Sequence, residues 1–200
     1  KNYNMKLKNI CFGIVCTVAL VGCTDKMDYH EYTNYGKEYV FSDFGRTAAF
    51  VNNIYSYLDY DLLGTTSLAS ACDEAEMALN YSNVLDYTNG NWTALNPKSQ
   101  WNYYTPIRAA NYFLENGLNL EFSDLILNQD YEAQMKRYGR YQYEVRLLRA
   151  YYYFLLVRAY GDVPFTTKVL TEAEANSLER TPASQVFDFI ISECDAVAPQ

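Results

Sequence analysis

A short apolar and aromatic run that ends abruptly is the feature that most constrains the fold of this 200-residue chain. Residues 150–157 read Ala-Tyr-Tyr-Tyr-Phe-Leu-Leu-Val, which predicts a helix buried on several faces. The run is shorter than the roughly 18 to 20 residues that a bilayer crossing needs, so it does not span a membrane. Gly161 favours the left-handed conformation that ends helices, and Pro164 cannot continue one. We therefore expect this helix to end near Tyr160.

Hydrophobic spacing and capping residues predict an all-α fold of helical hairpins around one long irregular region. The predicted helices run from Ser42 or Asp43 to about Tyr57, from Ser99 to about Glu115, from about Gln129 to Tyr160, and from Thr181-Pro182 onward. Residues 59–98 mix turn formers with aromatic side chains and predict long irregular loops. The tyrosine-rich stretch from Tyr29 to Val40 predicts an extended lead-in. Most tyrosines should lie in the core with their hydroxyl groups hydrogen-bonded.

The N-terminus has the pattern of a bacterial lipoprotein signal peptide. Three lysines precede an apolar run over residues 10–21, and Leu20-Val21-Gly22 leads directly to Cys23. This arrangement is a lipobox, so we predict removal of residues 1–22 and lipidation of Cys23, with acyl chains such as palmitate. Residues 23–41 would then form a lipidated tether and lead-in, ahead of a helical domain over residues 42–200. We expect Met5 to be the initiator, preceded by an extension of the reading frame or a cloning remnant.

The charge and the histidine content of the chain exclude several functions. The chain has 16 Lys and Arg against 24 Asp and Glu, a net charge of −8. Loss of residues 1–22 leaves 13 basic residues against 24 acidic ones and a net charge of −11. This balance argues against nucleic-acid binding. His30 is the only histidine, and no glycine-rich phosphate motif occurs, so we expect no cofactor, no metal site and no histidine-dependent catalysis.

The mature chain would keep two cysteines besides Cys23, namely Cys72 and Cys194. They have no CxxC spacing and no histidine partner, so a metal role is not indicated. We expect two buried thiols, and a disulfide in an oxidising compartment is the alternative.

Three sequence blocks together resemble one known family. The aromatic helix from Arg149 leads into Tyr160-Gly161-Asp162-Val163-Pro164, and an earlier block runs from Trp101-Asn102-Tyr103-Tyr104 to Leu114. A third block begins at Arg180-Thr181-Pro182 and continues with Val186 and Phe187. In this order they resemble the SusD/RagB family of outer-membrane nutrient-binding lipoproteins of Bacteroidetes.

The resemblance implies a fold, a location and a function. It implies a tetratricopeptide-like helical scaffold, of which this chain would be an N-terminal, truncated portion with one side of its core partly uncovered. It also implies a lipid-anchored protein on the exterior face of the outer membrane. Such a protein binds oligosaccharide and delivers it to a SusC-like TonB-dependent transporter. The alternative is a helical adaptor lipoprotein that binds protein partners without binding glycans.

Carboxylate and arginine pairs do not indicate an enzyme. Asp73 and Glu74 are adjacent, so on a helix their side chains point about 100° apart and cannot flank one glycosidic bond. A surface hydrolase is therefore the least favoured function. Arg146 and Arg149, at i,i+3, could bind an anion, but we expect them to pair with acidic side chains of neighbouring helices.

The predicted ligand-binding residues lie around Trp92. A sugar ring has an apolar face and a polar rim, so its binding site needs a flat aromatic group bordered by amides or carboxylates. Asn91 and Trp92, with Asn96 close by and Asp73 upstream, supply these groups. The resemblance implies that this loop layer helps to line the ligand cleft. The alternative is packing of Trp92 on the helical core, and Trp101 is predicted to be a core residue.

Overall fold

We describe the chain from a computed structural model, which covers residues 36–58, 68–73, 75–78, 83–95, 97 and 99–200. The predictions for residues 1–35, including the lipidation of Cys23, lie outside this part of the chain, as do Glu74 and Asn96. The described residues from Lys37 onward belong to one compact unit that continues to Gln200.

The described part is dominated by α-helices, which confirms the predicted all-α class. The α-helices are α1 (Lys37–Phe41), α2 (Phe44–Tyr55), α3 (Tyr104–Asn116), α4 (Tyr131–Tyr160), α5 (Glu172–Ser177) and α6 (Ala183–Val197). Short 3-10 helices cover Leu68–Ala71, Asn83–Tyr87, Trp101–Tyr103 and Ser123–Leu125. Strands β1 (Val163–Pro164) and β2 (Arg180–Thr181) pair antiparallel, with Val163 opposite Thr181.

Local capping residues set several of these boundaries. The carboxylate of Asp43 accepts a hydrogen bond from the backbone N–H of Arg46 at 2.7 Å, which begins α2 where the sequence predicts it. Gly161 has a φ of +70°, and its N–H donates to the carbonyl oxygen of Val157 at 2.8 Å. Helix α4 therefore ends at Tyr160, as predicted.

Three local features differ from the sequence prediction. Residues 37–41 form helix α1 rather than an extended lead-in, because Phe41 packs its ring into the core. The predicted helices leave out residues 172–177, but Thr171 and Glu174 form a capping box that begins helix α5 there. The β1–β2 ladder is too short to leave a periodic sequence signal.

The core lies where α3 and α6 pack against overlapping stretches of the same long helix, α4. Tyr104 contacts Tyr153 and Phe113 contacts Tyr141, so α3 and α4 run antiparallel. Tyr153 also contacts Phe189, and Phe154 contacts Phe187, so α4 and α6 are antiparallel as well. These contacts confirm the predicted helical hairpins.

Buried tyrosines mostly have partners for their hydroxyl groups, as predicted. The Tyr152 hydroxyl donates to the carbonyl oxygen of Ile54 at 2.6 Å. The Tyr138 hydroxyl donates to the carbonyl oxygen of Gly117 and accepts from the N–H of Leu120, both at 2.8 Å. Tyr141 is the exception, because its buried hydroxyl has no partner among the described residues.

Exposed apolar side chains line one side of the α4–α6 pair. We call this surface the apolar face, and its members are Leu147, Tyr151, Phe154, Phe187 and Ile191. The prediction of buried thiols is wrong, since Cys72 and Cys194 are both exposed and unpaired. The buried positions on α6 are Val186 and Glu193, so Cys194 falls just outside the face that meets α4.

Candidate ligand-binding site

The loop that carries Trp92 is shaped by a 3-10 helix and a tight turn. Residues 83–87 form the 3-10 helix, and the N–H of Asn89 then donates to the carbonyl oxygen of Leu85 at 2.9 Å. The Asn89 side chain accepts from the N–H of Asn91 at 3.0 Å, and Gly90 has a φ of +80°. The Asn-Gly pair therefore folds the chain back on itself.

This reversal places Trp92 against Tyr87. The N–H of Trp92 donates to the carbonyl oxygen of Asp86 at 3.1 Å, which fixes the backbone of the returning segment. The Tyr87 and Trp92 rings meet edge to face, with centroids 4.8 Å apart and an interplanar angle of 67°. The Trp92 side chain remains 57% exposed. The alternative in which Trp92 packs on the helical core is wrong, because the ring rests on its own loop.

The other predicted site residues lie at different places. Asn91 is exposed beside Trp92 on the same loop. Asp73 is exposed and follows the 3-10 helix at residues 68–71, which contacts the 3-10 helix at residues 83–87. The structure thus brings Asn91 and Trp92 together and puts Asp73 on the neighbouring segment.

Sequence reasoning missed Tyr87 as the support of Trp92. The signal was present, because Asn89-Gly90 is a strong turn dipeptide between the two aromatic residues. Chemically, the loop offers an exposed indole face with amide groups beside it. This combination suits stacking against the C–H face of a ring and hydrogen bonding to its rim.

Trp101 differs from Trp92 in its surroundings. Its indole stacks on Tyr160 with centroids 3.8 Å apart and an interplanar angle of 5°, and it also stacks on Tyr104. The Arg180 guanidinium lies 5.9 Å from the indole centroid. The side chain is still 37% exposed, so the prediction of a core residue is wrong. In the 3-10 turn before α3, Tyr103 takes the buried position instead.

Arg146 and Arg149 pair with a carboxylate, as predicted. Arg146 donates to both oxygens of Glu193, through Nη2 at 2.8 Å and Nε at 3.1 Å. Arg149 donates through Nη2 to Glu193 Oε2 at 3.1 Å and through Nη1 to Asn111 Oδ1 at 2.8 Å. Burial raises the pKa of Glu193, but its hydrogen bonds and the charges of both arginines outweigh burial and lower the pKa. The pair therefore joins α4 to α6 and is not a free anion site.

The described residues contain neither a metal-binding cluster nor a membrane-spanning helix. In that part of the chain no three His, Cys, Asp or Glu side chains are grouped to hold a metal ion. None of the helices described above combines the length and the apolar character that crossing a membrane requires.

The chain matches solved structures over most of its own length. It is similar to a SusD-like protein from Bacteroides fragilis (23% identity, TM-score 0.56), with 80% of this chain and 30% of that chain covered. It is also similar to a SusD-like carbohydrate binding protein from Bacteroides fragilis, at 22% identity and a TM-score of 0.57. That match covers 80% of this chain and 32% of that chain. A third similar structure is a SusD superfamily protein from Bacteroides thetaiotaomicron, at 22% identity and a TM-score of 0.56. That match covers 78% of this chain and 35% of that chain. The chain thus spans about a third of the length of these proteins.

A search of curated proteins found no match. The decisive comparison is with a family model described as starch-binding and associating with the outer membrane, which matches residues 28–198. That match includes all three sequence blocks and the Trp92 loop. The chain therefore belongs to the SusD-like family.

Proposed function

We propose that this chain is part of a glycan-binding protein and that Trp92 is a stacking platform for a sugar ring. The observation that carries the proposal is the exposed Trp92 indole, supported edge-on by Tyr87 in a loop fixed by backbone hydrogen bonds. Such a ring loses little conformational freedom on binding, because its position is already fixed. The family description and the similarity to a carbohydrate binding protein support this function.

The proposed ligand contacts are Trp92 and Asn91, together with the polar side chains of Asp73 and of Asn96, which lies outside the described residues. Carboxylates and amides are suited to the hydroxyl rim of a sugar, while the indole is suited to its C–H face. We propose binding without catalysis, and the family description and the similarity to a carbohydrate binding protein support this.

We also propose that the protein is a lipoprotein anchored through Cys23 to the outer membrane and facing the exterior. The lipobox at residues 20–23 and the family's association with the outer membrane support this location. Two or more acyl chains give stable anchoring, whereas a single chain is marginal. Delivery of the bound oligosaccharide to a SusC-like TonB-dependent transporter completes the proposed function.

A glycan array tests the binding function directly. The full-length protein should bind a defined set of oligosaccharides, and Trp92→Ala should lose signal across that set. Trp101→Phe, at the other tryptophan, is the matched control and should keep the array pattern. Absence of binding to any glycan by the folded wild-type protein would refute the proposal.

The apolar face favours a second candidate function, that of a helical adaptor. Phe154 and Phe187 contact each other on this face while both remain exposed. A protein partner that covered the face would bury aromatic surface of the kind found at interfaces. Under this alternative the wild-type protein would bind no glycan on the array. A substitution on the apolar face, such as Phe187→Asp, would abolish binding of the protein partner.

A further inference from the structure

Helix α3 carries a polar stripe that faces the segment following β1. The stripe consists of Tyr104, Arg108, Asn111 and Glu115, which recur at helical spacing along one side of α3. Their polar atoms reach the backbone of residues 164–170, which we call the connecting segment. Side chains of one helix thus take the place of a strand partner for this irregular segment.

The stripe binds five backbone groups of the connecting segment. The Tyr104 hydroxyl donates to the Pro164 carbonyl, and Asn111 Nδ2 donates to the carbonyls of Thr166 and Lys168 at 3.3 and 3.1 Å. Arg108 Nη1 donates to the Leu170 carbonyl at 2.8 Å, and Glu115 Oε1 accepts from the Val169 N–H at 2.8 Å. Asn111 is itself oriented by Arg149, and Tyr153 adds two bonds to Thr166. Burial raises the pKa of Tyr153 to about 12, so its hydroxyl keeps its proton at neutral pH. The connecting segment is therefore fixed in place.

A cavity of about 280 Å³ lies between α3, the connecting segment and α5. Its apolar lining consists of Ile107, Pro164, Leu170, Ala175 and Leu178. The cavity stays open because the hydrogen bonds hold one wall and the capping box of α5 holds another. Apolar pockets of roughly 300 Å³ and more that are formed in advance are typical small-molecule sites.

The charged groups at this cavity are both cations. Arg108 and Lys168 line it and are exposed, whereas Ile107 is buried, so the cations lie at the mouth and Ile107 forms the floor. No carboxylate is among the lining residues. The nearby Glu174, which interacts electrostatically with Lys168, accepts hydrogen bonds from the N–H and hydroxyl of Thr171 at 2.8 and 2.7 Å. A positively charged mouth is unusual in a chain with a net charge of −8.

We propose that this cavity is a binding site for a small amphipathic anion, with an apolar body on Ile107 and a carboxylate near Arg108 and Lys168. The lining fits this class because the side-chain hydroxyl and amide groups of Tyr104, Asn111 and Thr166 are hydrogen-bonded within the protein, which leaves apolar surface and the charges of the two cations for a ligand. A free sugar, which needs many hydrogen bonds, does not fit. The site is separate from the Trp92 loop and does not depend on the proposed glycan function.

Octanoate is the probe, and 1-octanol is the neutral comparison of equal chain length. Isothermal titration calorimetry of the full-length protein should detect octanoate binding that weakens with added salt, and weaker binding of octanol. Lys168→Gln should weaken octanoate about fivefold while leaving octanol unchanged. Equal affinity for octanoate and octanol, or an unchanged octanoate affinity in Lys168→Gln, would overturn the proposal that the ligand is an anion. Either result would indicate a pocket that binds an apolar group.

A matched pair of variants on α5 tests the location. Ala175→Phe fills the cavity and should weaken octanoate at least tenfold, whereas Ala173→Phe, on the same exposed helix but outside the cavity, should change it less than twofold. Equal effects of the two variants, or no octanoate binding by the wild-type protein at millimolar concentration, would overturn the proposal. Melting curves of both variants establish folding. Should Ala175→Phe unfold, Leu178→Phe replaces it, with the same expected loss.

Discussion

The substitution Glu193→Gln removes the negative charge that holds α4 to α6 and keeps the size of the side chain. Glu193 is bound by two arginines, and the side chains of Glu193 and Arg149 are only 11% and 8% exposed. Arg149 would then keep its charge in a buried position with only neutral acceptors. Arg146, with its side chain 31% exposed, would recover water as a partner.

The size of the expected effect follows from this difference in burial. Removing one partner of a buried ion pair costs about 3 to 5 kcal/mol, whereas exposed pairs contribute about 1 kcal/mol or less. Because glutamine retains one acceptor oxygen and Arg146 is hydrated, we expect a loss near the lower end, about 3 kcal/mol. For a domain of this size that loss corresponds to a fall of about 6 to 12 °C in Tm.

Urea denaturation at pH 7 and at acidic pH measures this loss. The pKa of Glu193 is lowered from 4.5 in the folded state, so its contribution is fully present above that value and is lost as the pH falls through the folded pKa. The difference between wild type and Glu193→Gln should therefore be constant above pH 5 and shrink below it. Asp195→Asn, on the exposed side of α6, is the control. A loss below 1 kcal/mol, or one equal to that of the control, would refute the reasoning.

Three further predictions concern the backbone, the core and the anchor. Gly161→Ala should destabilise the fold by about 1 kcal/mol or more, because Gly161 has a φ of +70°. Its control is Gly139→Ala, at an exposed position in the middle of α4, which should stabilise the fold by about 0.5 to 1 kcal/mol. Equal shifts in the melting temperature of the two variants would contradict this prediction. Gly117→Ala places a Cβ atom 2.6 Å from the fully buried ring of Phe113 and should lower the free energy of unfolding by about 1 to 3 kcal/mol. Urea denaturation measures this loss, and an unchanged free energy of unfolding would contradict the prediction. Cys23→Ala should leave the protein unlipidated and unprocessed, so a variant that still incorporates labelled palmitate would rule out the lipobox.

The four longer helices, α2, α3, α4 and α6, could be predicted from the sequence because they carry their own signals. Asp43 and Gly161 each act through bonds to residues within four positions, so their effect on helix ends is readable locally. The β1–β2 pair could not be predicted, because two-residue strands have no periodicity and Val163 meets Thr181 only through the tertiary fold. Helix α1 could not be predicted either, because the ring of Phe41 packs on Phe50 and Tyr112, contacts that only the tertiary fold provides.

The candidate site was only partly predictable for the same reason. The exposure of Trp92 follows from its short-range turn, so the Asn89-Gly90 signal was sufficient to place it near Tyr87. The position of Trp101 depends on Tyr160, which is distant in sequence, and was therefore predicted incorrectly. The cavity beside Ile107 rests on bonds between α3 and a segment more than fifty residues away, and no sequence pattern indicates it.

The most direct test of the glycan-binding proposal compares Trp92→Ala with Trp101→Ala in calorimetric titration and thermal melting. The ligand is an oligosaccharide that the wild-type protein binds on the glycan array. The account predicts that Trp92→Ala weakens binding about five- to thirtyfold, or about 1 to 2 kcal/mol, with little change in Tm. Trp101→Ala should lower Tm, because its indole stacks on Tyr160, and should change affinity little. Unchanged affinity in Trp92→Ala, or a fall in Tm there as large as in Trp101→Ala, would contradict the account.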